Sequence, residues 1–215
     1  MKSLQDIYDG FAAAYDANRG LFDMTEVLHD FLNRLPGGPG RLLDLGCGAG
    51  EPFARYFLDH GWRVTGVDFS EKMLALASRY APEMKTLHCD MRRACFDPGS
   101  FEAVTAVYCL FHVPRKDHAA LFRRCFSWLV PGGKMLFTYA TRDYTGREEF
   151  EGYKSFLGEK LFYSHKARSA ARRPQSLRLS YRRRGRPHNR RRNLSMGDGN
   201  PAAQIIYPSS EAPSF

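Results

Sequence analysis

Three glycines at alternate positions, Gly46, Gly48 and Gly50, follow the apolar run Leu42-Leu43-Asp44-Leu45 and lead into a stretch with helical spacing. Glycine adopts left-handed backbone conformations freely and lets a ligand approach the main chain, so such a strand-to-helix turn can hold a nucleoside at the carboxyl edge of a sheet. Glycines also serve plain tight turns, and the loop needs support from other residues. Asp68 supplies it. It closes the next apolar run, WRVTGVD, eighteen residues beyond Gly50, where a carboxylate accepts hydrogen bonds from both hydroxyls of an unphosphorylated ribose. Position 51, where the dinucleotide fingerprint GxGxxG has its last glycine, is Glu51, whose charge opposes a pyrophosphate. Asp44 adds negative charge beside the loop, from which it can orient the turn or meet an ammonium group through water. An acidic turn of this kind suits S-adenosyl-L-methionine, which carries a sulfonium cation and no phosphate, better than a nicotinamide dinucleotide.

Short apolar runs alternate with amphipathic ones around this loop. An entry helix over 22–35 stops at Pro36-Gly37-Gly38; RLLDLG (41–46), WRVTGVD (62–68), MKTLHCD (84–90), FEAVTAVYCL (101–110) and GKMLFTYA (133–140) read as strands. Helices are predicted over 51–60, from Ser70 onward, and across 117–129. Strands alternating with helices predict an α/β fold of the Rossmann-like kind, a mostly parallel sheet with helices on both faces.

The chain of 215 residues, 43% hydrophobic and 13% aromatic, is long enough for one substantial core. No apolar stretch approaches the roughly 18 residues of a spanning helix, so no membrane segment is expected. Cys47, Cys89, Cys95, Cys109 and Cys125 form no CxxC pair and read as reduced thiols of a cytoplasmic protein, with no metal site. The net charge of +9 is confined to the end of the chain. Residues 167–215 hold 11 Arg and 2 acids, whereas residues 1–166 hold 21 basic and 21 acidic side chains. A neutral body offers no basic face to a polyanion, which excludes it as a nucleic-acid surface.

The segments LLDLGCGAG, VTGVDFSEKML, LHCDMR, FEAVTAVYCLFHV and LVPGGKMLFTY, in this order, resemble the class I S-adenosylmethionine-dependent methyltransferases, and within them the ubiquinone and menaquinone biosynthesis enzymes. The resemblance covers roughly residues 8–140. It implies that Gly46, Cys47, Gly48 and Gly50 contact the cofactor with Asp44 beside them, and that Asp68 and Phe69 hold the ribose end. It further implies that Asp90 with Met91 reads the adenine and that Tyr108, Cys109 and Leu110 line the methyl-transfer face. The N-terminal YDGFAAAYD resembles the family's segment that folds over the cofactor, with Tyr15 its contact, and 148–166 resembles the helical cap over the acceptor. From the residues alone, Asp90 also suits a helix cap, and Tyr8, Phe11 and Tyr15 also suit a packed amphipathic face.

Methyl transfer from a sulfonium is an in-line displacement of an already activated group, so the protein mainly aligns the acceptor and keeps water out. Where the acceptor is a hydroxyl or acidic carbon, His112 is the candidate base by position and by its ordinary pKa near 6.5; packing within the loop is its alternative role. The expected acceptor is a small molecule. An RNA or protein methyltransferase docking through the basic tail is the second reading, a cofactor-binding protein without turnover the third, and a nicotinamide oxidoreductase the last.

From Ala167 onward strand alternation and apolar helical faces both stop, giving a domain at 1–166 and an Arg-rich tail at 167–215. The tail reads as encoded out of frame. Advancing the frame by one nucleotide permits PEALLADLRASGF from Ala167 and HTIGGETFLWVTA from Pro187, and Met196-Gly197 must then read as tryptophan. On that reading the C-terminal strands of the sheet are missing, and the strand at 133–140 is an unpaired apolar edge.

Overall fold

The computed structural model describes residues 3–17, 24–139, 149–156 and 159–165, together with Arg147 and the backbone of Ser176–Leu177 and Ala202–Ile206. Its strands are β1 (Arg41–Leu45), β2 (Arg63–Asp68), β3 (Lys85–His88), β4 (Phe101–Ala106), β5 (Leu129–Tyr139), β6 (Phe150–Phe156), β7 (Glu159–His165), β8 (Ser176–Leu177) and β9 (Ala202–Ile206). The helices are α1 (Leu4–Ala17), α2 (Thr25–Asn33), α3 (Phe53–Asp59), α4 (Glu71–Tyr80) and α5 (Arg115–Trp128), with a 3₁₀ turn at Leu110–His112.

One sheet runs in the order β3-β2-β1-β4-β5-β9-β8, and β1 to β5 are mutually parallel. Alternation along the central strands splits the core between its two faces. Leu42 of β1 and Leu136 of β5 point to the side covered by α2, α3 and α4, where Leu28, Phe31, Phe57 and Ala77 pack. Leu43, Leu45, Met135 and Phe137 point to the other side, against Leu121, Phe122, Cys125 and Trp128 of α5. Full burial of each large apolar side chain contributes about 1.5–3 kcal/mol, and these two clusters hold the layers together. Ser70 caps α4 by accepting a hydrogen bond from the Met73 amide, which is why that helix begins where β2 ends.

β1 lies between β2, which precedes α4, and β4, which leads toward α5, so the strand order reverses direction beside it. In open parallel sheets the crevice at such a switch point, outside the carboxyl ends of the strands, is where ligands bind. The Gly46–Gly50 turn sits at that end of β1.

Two expectations are corrected. β5 is not an unpaired edge: β9 pairs with it antiparallel, from Met135↔Ile206 to Tyr139↔Ala202, and β8 pairs with β9, so C-terminal strands are present. The short run Ala202–Ile206 supplies the backbone groups that the β5 edge requires. Second, 150–165 is not a helical cap but an antiparallel hairpin, β6 with β7, registered from Phe150↔His165 to Phe156↔Glu159. Leu161 and Tyr163 alternate onto one face and pack against Ile7 and Phe111, a period of two that fits a strand. The remainder of the Arg-rich tail, and with it the out-of-frame reading, lies outside the described residues. Among the described residues no helix is long and apolar enough to cross a membrane.

Candidate functional site

Gly46, Gly48 and Gly50 have φ values of 69°, 52° and 79°, all in the left-handed region that disfavours side chains. They do different work. A Cβ at Gly46 would lie 2.5 Å from that of Cys109, and one at Gly50 would lie 2.8 Å from that of Ala81, so these two let neighbouring elements close on the loop. A Cβ at Gly48 would meet nothing within 4 Å. Gly48 is therefore the glycine with open space beside its α-carbon.

Two buried carboxylates flank the turn. Asp68, 8% exposed, accepts hydrogen bonds from the Gly48 amide at 2.9 Å and the Ser70 amide at 2.8 Å, which locks the loop after β1 to the end of β2. Burial raises its pKa, against the lowering effect of those amides. Asp44, 3% exposed, accepts a hydrogen bond from Thr105 Oγ1 at 2.7 Å across the β1–β4 pair. Burial is the main reason its pKa rises to about 7; Thr105 opposes the rise and Asp68 adds to it. Alternation along β4 is the signal that would have found Thr105, the register partner of Asp44.

Asp90 follows β3, whose neighbour Cys89 donates its amide to the Asp68 carbonyl at 2.9 Å, so the two acids end adjacent strands. Met91 is buried beside Gly46, and Cys47 is buried beneath the loop against Gly66. Tyr108 adopts φ 56°, rare for a residue with a side chain. Its amide donates to Thr138 Oγ1 at 2.6 Å, and burial raises its phenol to about 12. Cys109 donates its thiol to the Leu45 carbonyl, and Leu110 is fully buried in the core under the sheet. The side chains of Cys109 and Leu110 thus face the interior.

α1 lies across this edge. Tyr15 donates its hydroxyl to the Glu51 carbonyl at 2.9 Å, the Ser70 hydroxyl donates to Asp9, and the Tyr80 hydroxyl donates to Asp16. Tyr8 packs edge-on against Phe69, with ring centroids 5.7 Å apart. Asp9 was not singled out by sequence reasoning; one short polar residue in YDGFAAAYD carried too little signal.

His112 is enclosed. Its Nδ1 lies 2.6 Å from the Phe162 carbonyl of β7 and its Nε2 2.9 Å from the Tyr8 hydroxyl. A carbonyl only accepts, so Nδ1 carries the proton and Nε2 accepts from Tyr8. Burial pushes its pKa down to about 4, opposed by the Phe162 carbonyl. His112 is thus neutral, with both nitrogens committed. Among the described residues no group of three His, Cys, Asp or Glu could hold a metal ion.

Residues 42–133 match the family described as methyltransferase domain. Over these residues the chain is similar to the S-adenosylmethionine-dependent methyltransferases. A ubiquinone biosynthesis O-methyltransferase of Albidiferax ferrireducens is 33% identical over 134 residues, which are 58% of this chain and 51% of that protein. The chain thus spans about half the length of the curated relatives it matches. An S-adenosylmethionine-dependent methyltransferase from Mesorhizobium loti is similar in structure, with a TM-score of 0.51, 29% identity and coverage of 66% of this chain and 64% of that one. The DhpI–SAH complex gives a TM-score of 0.57, 26% identity and coverage of 78% and 80%.

The residues present fit an adenosyl group bearing positive charge. The left-handed turn at Gly48 faces open space, and the ionisable groups flanking it, Asp44 and Asp68, are both acids. This donor set attracts a sulfonium or ammonium and repels a pyrophosphate.

Proposed function

We propose that this chain transfers the methyl group of S-adenosyl-L-methionine to a small-molecule acceptor. The observation that carries the reading is the pair of buried carboxylates, Asp44 and Asp68, either side of the open turn at Gly48. Bound there, the cofactor supplies an activated methyl group, and the chain's own residues align and shield it. Asp68 holds the ribose, Asp90 and Met91 take the adenine, and Asp44 supplies negative charge to the methionyl end. Phe69 and Tyr15 close the site from α1 and its neighbours. Every one of these residues lies within 1–166.

On the acceptor side stands the half-buried Tyr8, whose phenol donates its proton to His112 Nε2. His112 orients that phenol and anchors it to the β6–β7 hairpin through Phe162. The similarity to the Albidiferax relative, a ubiquinone biosynthesis O-methyltransferase, supports a small hydroxylated acceptor.

The test is transfer of labelled methyl from the cofactor into a small-molecule extract, an RNA pool and a protein pool in parallel. Label in the low-mass fraction supports the proposal. Label confined to RNA or protein points instead to docking of a macromolecule, and no label in any pool to a binding protein without turnover.

A further inference from the structure

Asp90 stands at the carboxyl edge of the sheet with its oxygens almost fully committed, and the partner is Arg92. The Arg92 amide donates to Asp90 Oδ1 at 2.8 Å. Its guanidinium forks onto the same carboxylate, NH2 to Oδ2 at 2.6 Å and Nε between Oδ2 at 3.0 Å and Oδ1 at 3.1 Å. The remaining arm, NH1, reaches Asp117 Oδ2 on α5 at 3.3 Å. An ionised carboxylate has about four acceptor sites. The fork fills two, the turn amide a third, and about one is left.

We propose that Arg92 is a positioning and specificity residue: it holds Asp90 as an oriented, ionised acceptor with a single open site, matched to one N–H donor of the ligand's base. This rests on the reading that Asp90 meets the adenine. An amino group at the base's six-position donates into the open site. A keto oxygen there, as in an inosyl analogue, brings lone pairs against a fixed negative charge. A protonated Asp90, by contrast, has a hydrogen to offer such an oxygen and tolerates it.

The surroundings of the pair are strongly charged. Asp90 and Arg92 line a surface cleft of about 560 Å3 with Arg93, Asp117, Ala120 and Arg124. The charged groups facing Asp90 are thus Arg92 and Arg93 from its own turn, and Asp117 and Arg124 from α5. Burial would raise Asp90, but the Arg92 hydrogen bonds and the charges of Arg92 and Arg93 overcome it and leave the group below its ordinary value. Arg92 itself is raised, first by the hydrogen bond to Asp90.

The experiment is calorimetric binding of S-adenosylhomocysteine and S-inosylhomocysteine to the full chain, for wild type, Arg92→Gln, Arg92→Lys and Asp90→Asn, from pH 5 to 8. Wild type is expected to favour the adenosyl ligand by a ratio that is flat with pH. Arg92→Gln should lower that ratio by about tenfold or more, most at the acid end, with Arg92→Lys between; loss of a buried polar match is of this size or larger. A purely structural Arg92 would weaken both ligands alike and leave the ratio unchanged, and that result overturns the proposal. If Asp90→Asn also leaves the ratio intact, the reading of Asp90 falls with it. If Asp90→Asn abolishes the ratio while Arg92→Gln does not, the role of Arg92 alone is refuted.

Discussion

Asp44→Asn should separate stability from ligand binding, because the same buried charge opposes one and serves the other. Asp44 is 3% exposed and titrates at about 7, against an ordinary value of 3.8. A group whose pKa is raised on folding stabilises the fold in its protonated form; that contribution is complete below about pH 4 and is lost as pH rises toward 7. At about 1.36 kcal/mol per unit, folding bears roughly 4 kcal/mol for the ionised group above pH 7 and roughly 1–2 kcal/mol at pH 5. Asparagine keeps the Thr105 hydrogen bond and does not titrate. Urea unfolding of both proteins from pH 5 to pH 8 should therefore show the variant gaining about 2–3 kcal/mol relative to wild type across that range. Taking the difference removes the titration of His112, which both proteins share. Over the same range the variant should bind S-adenosylmethionine more weakly at pH 8, on the order of tenfold for one lost charge interaction in a partly solvated cleft. Stability curves that stay parallel from pH 5 to pH 8 would refute the reasoning, since they would mean that Asp44 is not ionising inside the folded chain.

Gly48→Ala should fold, with a loss of about 1 kcal/mol from its left-handed backbone, yet bind adenosyl ligands poorly because the new methyl group occupies the ligand's side of the turn. Gly46→Ala should instead be destabilised by about 1–3 kcal/mol through the clash with Cys109, and thermal melts of the two variants with and without S-adenosylhomocysteine distinguish them. Tyr8→Phe leaves the buried His112 Nε2 without its donor; about 1–3 kcal/mol should be lost, and hydrogen exchange should show α1 opening more often. In wild type, His112 should contribute stability that is present above pH 6.5 and lost as pH falls toward its folded value of about 4, a dependence that His112→Asn should lack in acid unfolding. Sequencing the gene across codons 167–199 should reveal the alternative frame PEALLADLRASGF and HTIGGETFLWVTA; nucleotides that cannot encode those segments would end that reading.

The parallel core was legible because each central strand is a short apolar run bounded by turn residues, and because Ser70 caps α4 at the position expected from its chemistry. The cofactor turn was legible for a related reason: only glycine tolerates three left-handed positions in five residues. The hairpin at 150–165 was hidden because a short run such as Lys160-Leu161-Phe162-Tyr163 carries apolar residues compatible with either period. Only packing of Leu161 and Tyr163 on Ile7 and Phe111 chooses the strand. β9 was hidden in another way, since five residues give too short a periodic signal, and pairing with β5 is a long-range effect. His112 lies past β4 in the 3₁₀ turn, and its chemistry depends on Tyr8 and Phe162, which lie 104 and 50 residues away. Nothing local in LFHVP announces that both ring nitrogens are taken.

The most direct measurement is a calorimetric titration of the full chain with S-adenosylmethionine, S-adenosylhomocysteine and NAD side by side. One-to-one binding of both sulfur compounds with no uptake of NAD is the expected result, because Asp44, Asp68 and Glu51 surround the turn with acid. Saturable binding of NAD with none of S-adenosylmethionine would contradict the account.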